Sequence, residues 1–259
     1  MSFDFKTGEI VANMYSKSDN KKVGSLYYKS EEELPENHEN LTTFRVSDED
    51  KYLFPLINDY KNGQTDRVYV TGETGCGKST FIKQYVKKWM KQYPKGNILL
   101  FSSKVEDKQL DSIEKIHRVK IDAEILVNPF TLNEIVSQGK PVLTIFDDIE
   151  DFPSKKITQE IGRLRDEILR NGRSYGIYCI YVNHSPTDYI RTKTAIFEAN
   201  KVVIFPKRCG AGAYQYFLEK KLNIPKEKIV MINKMKSNWV CINKHIPQTI
   251  ISDRYALLM

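Results

Sequence analysis

Eight consecutive residues constrain this chain more than anything else in it. Gly72-Glu73-Thr74-Gly75-Cys76-Gly77-Lys78-Ser79 fits the pattern G-x-x-x-x-G-K-[ST]. Glycines at this spacing let the backbone wrap closely round an anion, with successive N–H groups pointing inward. The flanks supply the required context. Residues 67–71 (RVYVT) form a short apolar strand. Residues 81–93 put Phe81, Ile82, Tyr85, Val86, Trp89 and Met90 on one helical face and Lys83, Lys87, Lys88 and Lys91 elsewhere. Strand, glycine turn and amphipathic helix in that order make a phosphate-binding loop, to which the helix adds its positive N-terminal end. The expected ligand is ATP, cradled by Gly72, Glu73, Thr74, Gly75, Cys76, Gly77, Lys78, Ser79 and Thr80. Lys78 would reach the β- and γ-phosphates and Ser79 would hold Mg²⁺ through its hydroxyl. Cys76 is read as a small filler in the turn.

The rest of the chain follows the same architecture. Apolar runs at 97–102 (NILLFS), 142–146 (VLTIF), 177–182 (IYCIYV) and 201–205 (KVVIF) alternate with helical segments, one of them at 157–170. With 67–71 they make five strands, and the expected fold is α/β, a mostly parallel sheet flanked by helices. A further helix is expected near 213–222 and terminal strands at 229–232 and 239–243. Residues 1–65 read as a separate N-terminal element of unknown role, with strands at 9–14 and 23–28. An acidic run at 30–40 follows as an exposed loop or helix start. The expected division is therefore 1–65 and 66–259.

Hydrolysis needs a metal ligand and a base opposite the loop. The run Val142 to Phe146 ends in Asp147-Asp148. Asp147 is placed for the magnesium shell, and Asp148 to polarise the attacking water as general base, with Glu150 the next carboxylate along. The following apolar run ends in the polar pair Asn183-His184. A cation stabilises the charge that builds on the transferred phosphoryl. The segment 163–173 offers Arg163, Arg165, Arg170 and Arg173. Arg163 and Arg170, seven apart, share a helical face. Arg173 is expected just past a helix end at Asn171-Gly172, and Arg173 or Arg170 to act on a neighbouring subunit's nucleotide.

Composition narrows the classes. With 259 residues, 41% hydrophobic and 28% charged, the chain can bury a core and is not disordered. Its four cysteines form no CxxC or Cys/His cluster, which argues against zinc and disulfide frameworks and for a reducing compartment. No apolar run reaches membrane-spanning length and the N-terminus lacks a hydrophobic signal core, so a soluble, intracellular protein without a membrane anchor is expected. The net charge is +7, unevenly placed: residues 1–66 hold 8 Lys+Arg against 13 Asp+Glu, and residues 201–259 hold 11 against 3. A basic body suggests a polyanionic partner.

Three blocks carry a family resemblance: GETGCGKS at 72–79, TIFDDI at 144–149, and RNGRSYGIYCIYVNHSPTDY at 170–189. Over residues 65–250 the chain resembles the DNA-packaging ATPases of large double-stranded DNA viruses, the poxvirus-type group of the FtsK–HerA superfamily. A strand inserted between the loop strand and the acidic strand, at 97–102, together with the tandem acid, resembles the additional-strand, catalytic-acid branch of P-loop nucleotidases. By the third block, Arg173 carries over as arginine finger and Asn183 and His184 as γ-phosphate sensors. Asp148 stands where the wider superfamily has Glu, and Ser174 where many viral members have His. The resemblance implies a ring-shaped homo-oligomer, a hexamer, that drives double-stranded DNA into a preformed capsid. It also implies docking on a portal or vertex protein, and work in the host cytoplasm or viral factory.

Rival readings have their own signatures. A GTPase needs Asn-Lys-x-Asp, and Asn233-Lys234-Met235-Lys236 lacks the Asp; the Leu-Ser-Gly-Gly-Gln stretch of transporter ATPases is absent. A small-molecule kinase and a non-hydrolysing nucleotide-binding scaffold stay open. For sequence-independent DNA contact the candidates are Lys207 and Arg208 in the basic C-terminal third, and Lys104 in the loop after 97–102, where backbone charge contacts would give a steep salt dependence.

Overall fold

The structure is a computed structural model that describes residues 1–33, 41–186, 188–208 and 211–259. Part of the acidic run (34–40), together with Thr187, lies outside the described residues. The chain folds as two compact units, one made of residues 1–56 with 201–259, the other of residues 57–200. The boundary drawn at 65/66 from the sequence thus falls inside the second unit. The basic C-terminal stretch belongs with the N-terminal strands.

In the first unit, β1 (Ser2–Asp4), β2 (Glu9–Ser16), β3 (Lys22–Lys29) and β5 (Lys51–Pro55) make an antiparallel sheet in the order β1-β3-β2-β5. The expected strands at 9–14 and 23–28 are β2 and β3. β4 (Thr43–Arg45) belongs to a second antiparallel run whose other members come from the C-terminal segment. These are β11 (Lys201–Ile204), β12 (Val240–Asn243), β13 (Thr249–Ser252) and β14 (Tyr255–Leu258). Phe3, Val11, Leu26, Leu53, Ile251 and Leu258 meet in one buried cluster, so residues at the two chain ends share a core.

The expected strand at 229–232 is instead part of a helix, Lys226–Lys234. Ile229 and Ile232 are buried three apart while Val230 between them is 50% exposed. That is helical spacing, which a four-residue apolar run alone cannot distinguish from a strand. The expected helix near 213–222 is present as Ala211–Tyr216, continued by a π turn over Phe217–Lys221.

The second unit has the parallel sheet. β6 (Arg67–Thr71), β7 (Asn97–Ser102), β8 (Ile116–Arg118), β9 (Val142–Asp147) and β10 (Ile177–Asn183) lie in the order β6-β10-β9-β7-β8, every pair parallel. β9 and β10 are buried along their whole length, as continuous Val/Ile/Leu/Tyr runs require in a sheet covered on both faces. Three long helices connect the strands: α1 (Lys78–Gln92), α3 (Lys155–Tyr175) and α4 (Tyr189–Glu198), with a single turn, α2 (Leu132–Ile135), before β9. The strand that separates the loop strand from the acidic strand in space is β10. Residues 97–102, which intervene in sequence, lie on the far side of β9. The spatial insertion is the one that defines the additional-strand arrangement, and it carries Asn183.

α1 turns Phe81, Ile82, Tyr85, Val86 and Trp89 into the core, where the Trp89 ring meets Tyr178 of β10 edge-on at 5.7 Å. α3 is longer than expected: it runs through Asn171 and Gly172 and stops at Gly176, whose φ of 72° takes the left-handed turn that ends helices. Gly172 stays helical because its bare Cα lets the helix approach Ile177. Arg173 is therefore in the last turn of α3, not beyond it. No helix among the described residues is long and apolar enough to cross a membrane.

Candidate nucleotide site

Strand register assembles the site. Thr71 pairs with Asn183, Val182 with Asp147, and Asp147 with Ser102, so the C-terminal ends of β6, β10, β9 and β7 form one edge. Open α/β sheets bind ligands at that edge. The loop leaves β6 there. Gly75 (φ 76°) and Gly77 (φ 113°) hold backbone conformations that a side chain would strain, and Gly77 caps α1. Lys78, Ser79 and Thr80 follow as its first residues.

Lys78 is buried, and Nζ donates to the carbonyls of Gly72 (2.5 Å) and Glu73 (3.0 Å) and to His184 Nδ1 (3.2 Å). Burial pushes its pKa down, against the pull of nearby Asp147 and Asp148. A lysine only donates, so His184 Nδ1 is the acceptor, which Thr74 Oγ1 also approaches at 3.4 Å. His184 Nε2–H then donates to Asp148 Oδ1 at 2.5 Å. The imidazole bridges the loop lysine to the second aspartate.

The two aspartates differ although adjacent. Asp147 ends β9 and is buried; burial and the neighbouring Asp148 charge raise its pKa. Asp148 sits at φ 51° at the head of a short turn, Ile149–Asp151, a left-handed conformation that Asp tolerates better than most residues. Burial opposes its ionisation too. The hydrogen bonds from Lys104 and His184 and the Lys104 charge outweigh that, so its pKa lies below the ordinary carboxylate value.

Several contacts were not legible in the sequence. Lys104, expected to face DNA, pairs with Asp148 Oδ2 and lies 3.5 Å from Asp147 Oδ2. Ser79 Oγ donates to Asp107 Oδ2 at 3.4 Å. Glu150, the reserve carboxylate, accepts from Tyr181 OH at 2.5 Å and lies 3.6 Å from Arg165, whose guanidinium stacks on Tyr181 at 4.4 Å. Asn183 Nδ2 donates to the same Tyr181 hydroxyl at 3.1 Å, and Asn183 Oδ1 accepts from Ser185 N at 2.7 Å. The alternation Tyr181-x-Asn183 on one strand face was the signal available for this network.

Apart from Arg165, the arginines of this segment are not brought to this edge. Arg173 and Arg170 are exposed at the end of α3 nearest the start of β10, Arg170 donating to Thr194 Oγ1 at 3.5 Å. Arg163 is tied to Glu160 and Glu167 at 2.8 and 2.6 Å. The basic pair Lys207 and Arg208 is exposed in a short turn, Pro206–Arg208, of the first unit.

A glycine loop between β6 and α1, with β10 inserted beside the acidic strand, defines a P-loop NTPase of the additional-strand kind. Residues 66–171 match the NACHT domain family. Over 191 residues, covering 73% of this chain and 75% of the relative, the sequence is 34% identical to "Uncharacterized protein V3" of Sputnik virophage. The chain belongs to the same protein family as that virophage protein. Among solved structures it is similar to the genome packaging NTPase B204 of Sulfolobus turreted icosahedral virus 2 in complex with ATP-gammaS. There the TM-score is 0.47 at 15% identity, covering 73% of this chain and 97% of that one. It is also similar to the cytoplasmic domain of the type VII secretion ATPase EccC of Thermomonospora curvata, with TM-score 0.49, 14% identity, 83% of this chain and 28% of that one.

The donor chemistry suits a magnesium–nucleotide complex. Ser79 Oγ and the Asp147 carboxylate are hard oxygens, few enough to leave most of the coordination to phosphates and water, as Mg²⁺ prefers. The adjacent buried carboxylates also attract a cation, as the position of the Lys104 ammonium shows.

Proposed function

We propose that this chain is an ATP-hydrolysing motor that moves double-stranded DNA into a viral capsid as a homo-oligomeric ring, a hexamer. The observation that carries the reading is the single sheet edge on which Lys78, Ser79, Asp147, Asp148 and His184 converge. The backbone N–H groups of Gly75 to Ser79 and the start of α1 receive the phosphates. Lys78 exchanges the carbonyls of Gly72 and Glu73 for the β- and γ-phosphates, while Glu73, Thr74, Cys76 and Thr80 shape the cradle. Ser79 and Asp147 hold Mg²⁺, which when bound neutralises charge on the phosphate chain. Asp148, ionised at neutral pH, takes a proton from the attacking water. His184 touches both Asp148 and Lys78, so it registers whether the γ-phosphate is present; Asn183 completes the sensing end of β10. Arg173, with Arg170 one turn earlier, serves a neighbouring subunit's nucleotide.

Duplex DNA as partner is supported by the resemblance of the three sequence blocks and by the surplus of base in residues 201–259, where Lys207 and Arg208 are exposed. Docking on a portal or vertex protein, and work in the host cytoplasm or viral factory, follow from the same resemblance. The test is steady-state phosphate release from ATP by the full chain, with and without duplex DNA. Stimulation by DNA is expected. Transfer of phosphate to a small molecule would make the protein a kinase, and nucleotide binding without turnover would make it a scaffold.

A further inference from the structure

The segment after β7, residues 103–112, lies across the nucleotide edge and touches the groups that the proposed chemistry uses. Ser103 Oγ donates to the Asp148 carbonyl at 2.6 Å. Lys104 Nζ bridges the carboxylates of Asp147 and Asp148. Asp107 Oδ2 accepts from Ser79 Oγ at 3.4 Å, and Gln109 Oε1 accepts from Thr80 Oγ1 at 3.3 Å. Lys83 Nζ donates to Ser112 Oγ at 3.1 Å. The segment is built to hold this course. Asp107 Oδ1 accepts from the backbone N–H groups of Gln109 and Leu110, Arg118 pairs with Asp111 at 2.8 Å, and Arg118 Nη1 donates to the Lys104 carbonyl.

Charge gives this arrangement its meaning. Asp147 and Asp148 are nearly inaccessible, at 5% and 3% side-chain exposure, and two adjacent buried carboxylates need a positive partner. His184 reaches Asp148 through Nε2 and turns Nδ1 to Lys78. Lys104 supplies the positive charge from a side chain that is 43% exposed and therefore can withdraw into water without being stranded. Asp107 meanwhile engages the Ser79 hydroxyl. The ammonium holds carboxylate oxygens that a metal held by Asp147 would take, so its contact with Asp147 must break when the metal binds.

We propose that Lys104 is a resident counter-cation of the Asp147–Asp148 pair, displaced by the incoming divalent metal and thereby setting how much metal the site needs. This inference rests on the assignment of Asp147 as metal ligand made above.

The experiment is an equilibrium titration of the full chain with a fluorescent N-methylanthraniloyl ADP, at zero Mg²⁺ and across a Mg²⁺ series. It compares wild type, Lys104→Met, Lys104→Arg and Asp147→Asn. Lys104→Met is expected to leave metal-free nucleotide affinity within about twofold and to lower the half-saturating Mg²⁺ about fivefold, the size of one partly exposed ion pair. Lys104→Arg keeps the wild-type Mg²⁺ requirement. An unchanged or higher Mg²⁺ requirement in Lys104→Met overturns the proposal. Weaker nucleotide binding both with and without Mg²⁺ also overturns it and makes Lys104 a phosphate ligand. If Asp147→Asn shows the same Mg²⁺ dependence as wild type, the metal-site assignment itself fails, and that outcome is separate from any result at Lys104.

Discussion

Asp147 and Asp148 are chemically identical and adjacent, yet the fold gives them opposite titration behaviour. Asp147 closes a buried strand and carries a raised pKa, so its charge opposes folding at neutral pH, and that cost is relieved as pH falls through the raised value. Asp148 has a lowered pKa, so its ionised form adds stability that is present above the ordinary 3.8 and lost as pH falls through the lowered value. A general base must be ionised to work, and Asp148 meets that condition throughout the neutral range. Asp148→Asn is expected to bind nucleotide as wild type does and to lose turnover by about 10²–10⁴-fold, the usual weight of a positioned base. Phosphate release and nucleotide titration check it, and near-normal turnover would remove Asp148 from the mechanism. Glu150 is poorly placed to substitute, since Tyr181 and Arg165 already engage it. Lys78, Ser79 and both aspartates were legible because each sits at a fixed offset from a motif. Lys104 was not, because its partners are more than forty positions away in sequence and meet it only through sheet register.

At the scale of elements, α1 and the start of β7 are joined by a contact only glycine allows. A Cβ at Gly96 would collide with the far edge of the Trp89 ring and would stand 3.1 Å from the Pro141 carbonyl oxygen. The Trp89 ring cannot retreat easily, because Tyr93 and Tyr178 pack on it at 5.3 and 5.7 Å. Gly96→Ala is therefore expected to destabilise the protein by about 1–3 kcal/mol, the usual cost of overpacking. Urea or thermal unfolding measures this, and a midpoint equal to wild type would show that the helix end gives way freely. The amphipathic pattern located α1 from the sequence, but α3 was read five residues short. Asn171-Gly172 resembles a stop signal, and what keeps the helix going is tertiary: Gly172 packs against Ile168 and Ile177, and the left-handed turn falls at Gly176.

For the whole molecule, the position of Arg173 bears on the proposed sharing of the site between copies. Arg173 lies just before β10 begins, whereas Asn183 and the nucleotide edge lie where β10 ends. Seven strand residues span about 20 Å, beyond the reach of an arginine side chain. Arg173 thus cannot serve the nucleotide of its own chain, and a role in catalysis requires a second copy. Mixing an inactive Lys78→Ala chain with an inactive Arg173→Ala chain is expected to restore part of the turnover, because some subunit pairs then combine an intact loop with an intact arginine. No recovery across mixing ratios, with mixed oligomers shown to form, would exclude Arg173 as the shared residue.

The amino-acid order by itself determined the phosphate loop, the strand-and-helix alternation behind it and the acidic pair opposite, because these depend on local backbone chemistry and short-range periodicity. It also carried the charge asymmetry that points to a polyanion. Tertiary structure alone decided that the chain ends fold together, that β10 lies between the loop strand and the acidic strand, and that Lys104 rests on the aspartates. Each of these depends on which strands pair across long sequence separations, and the free energy of such pairing is distributed over a core that no single segment encodes.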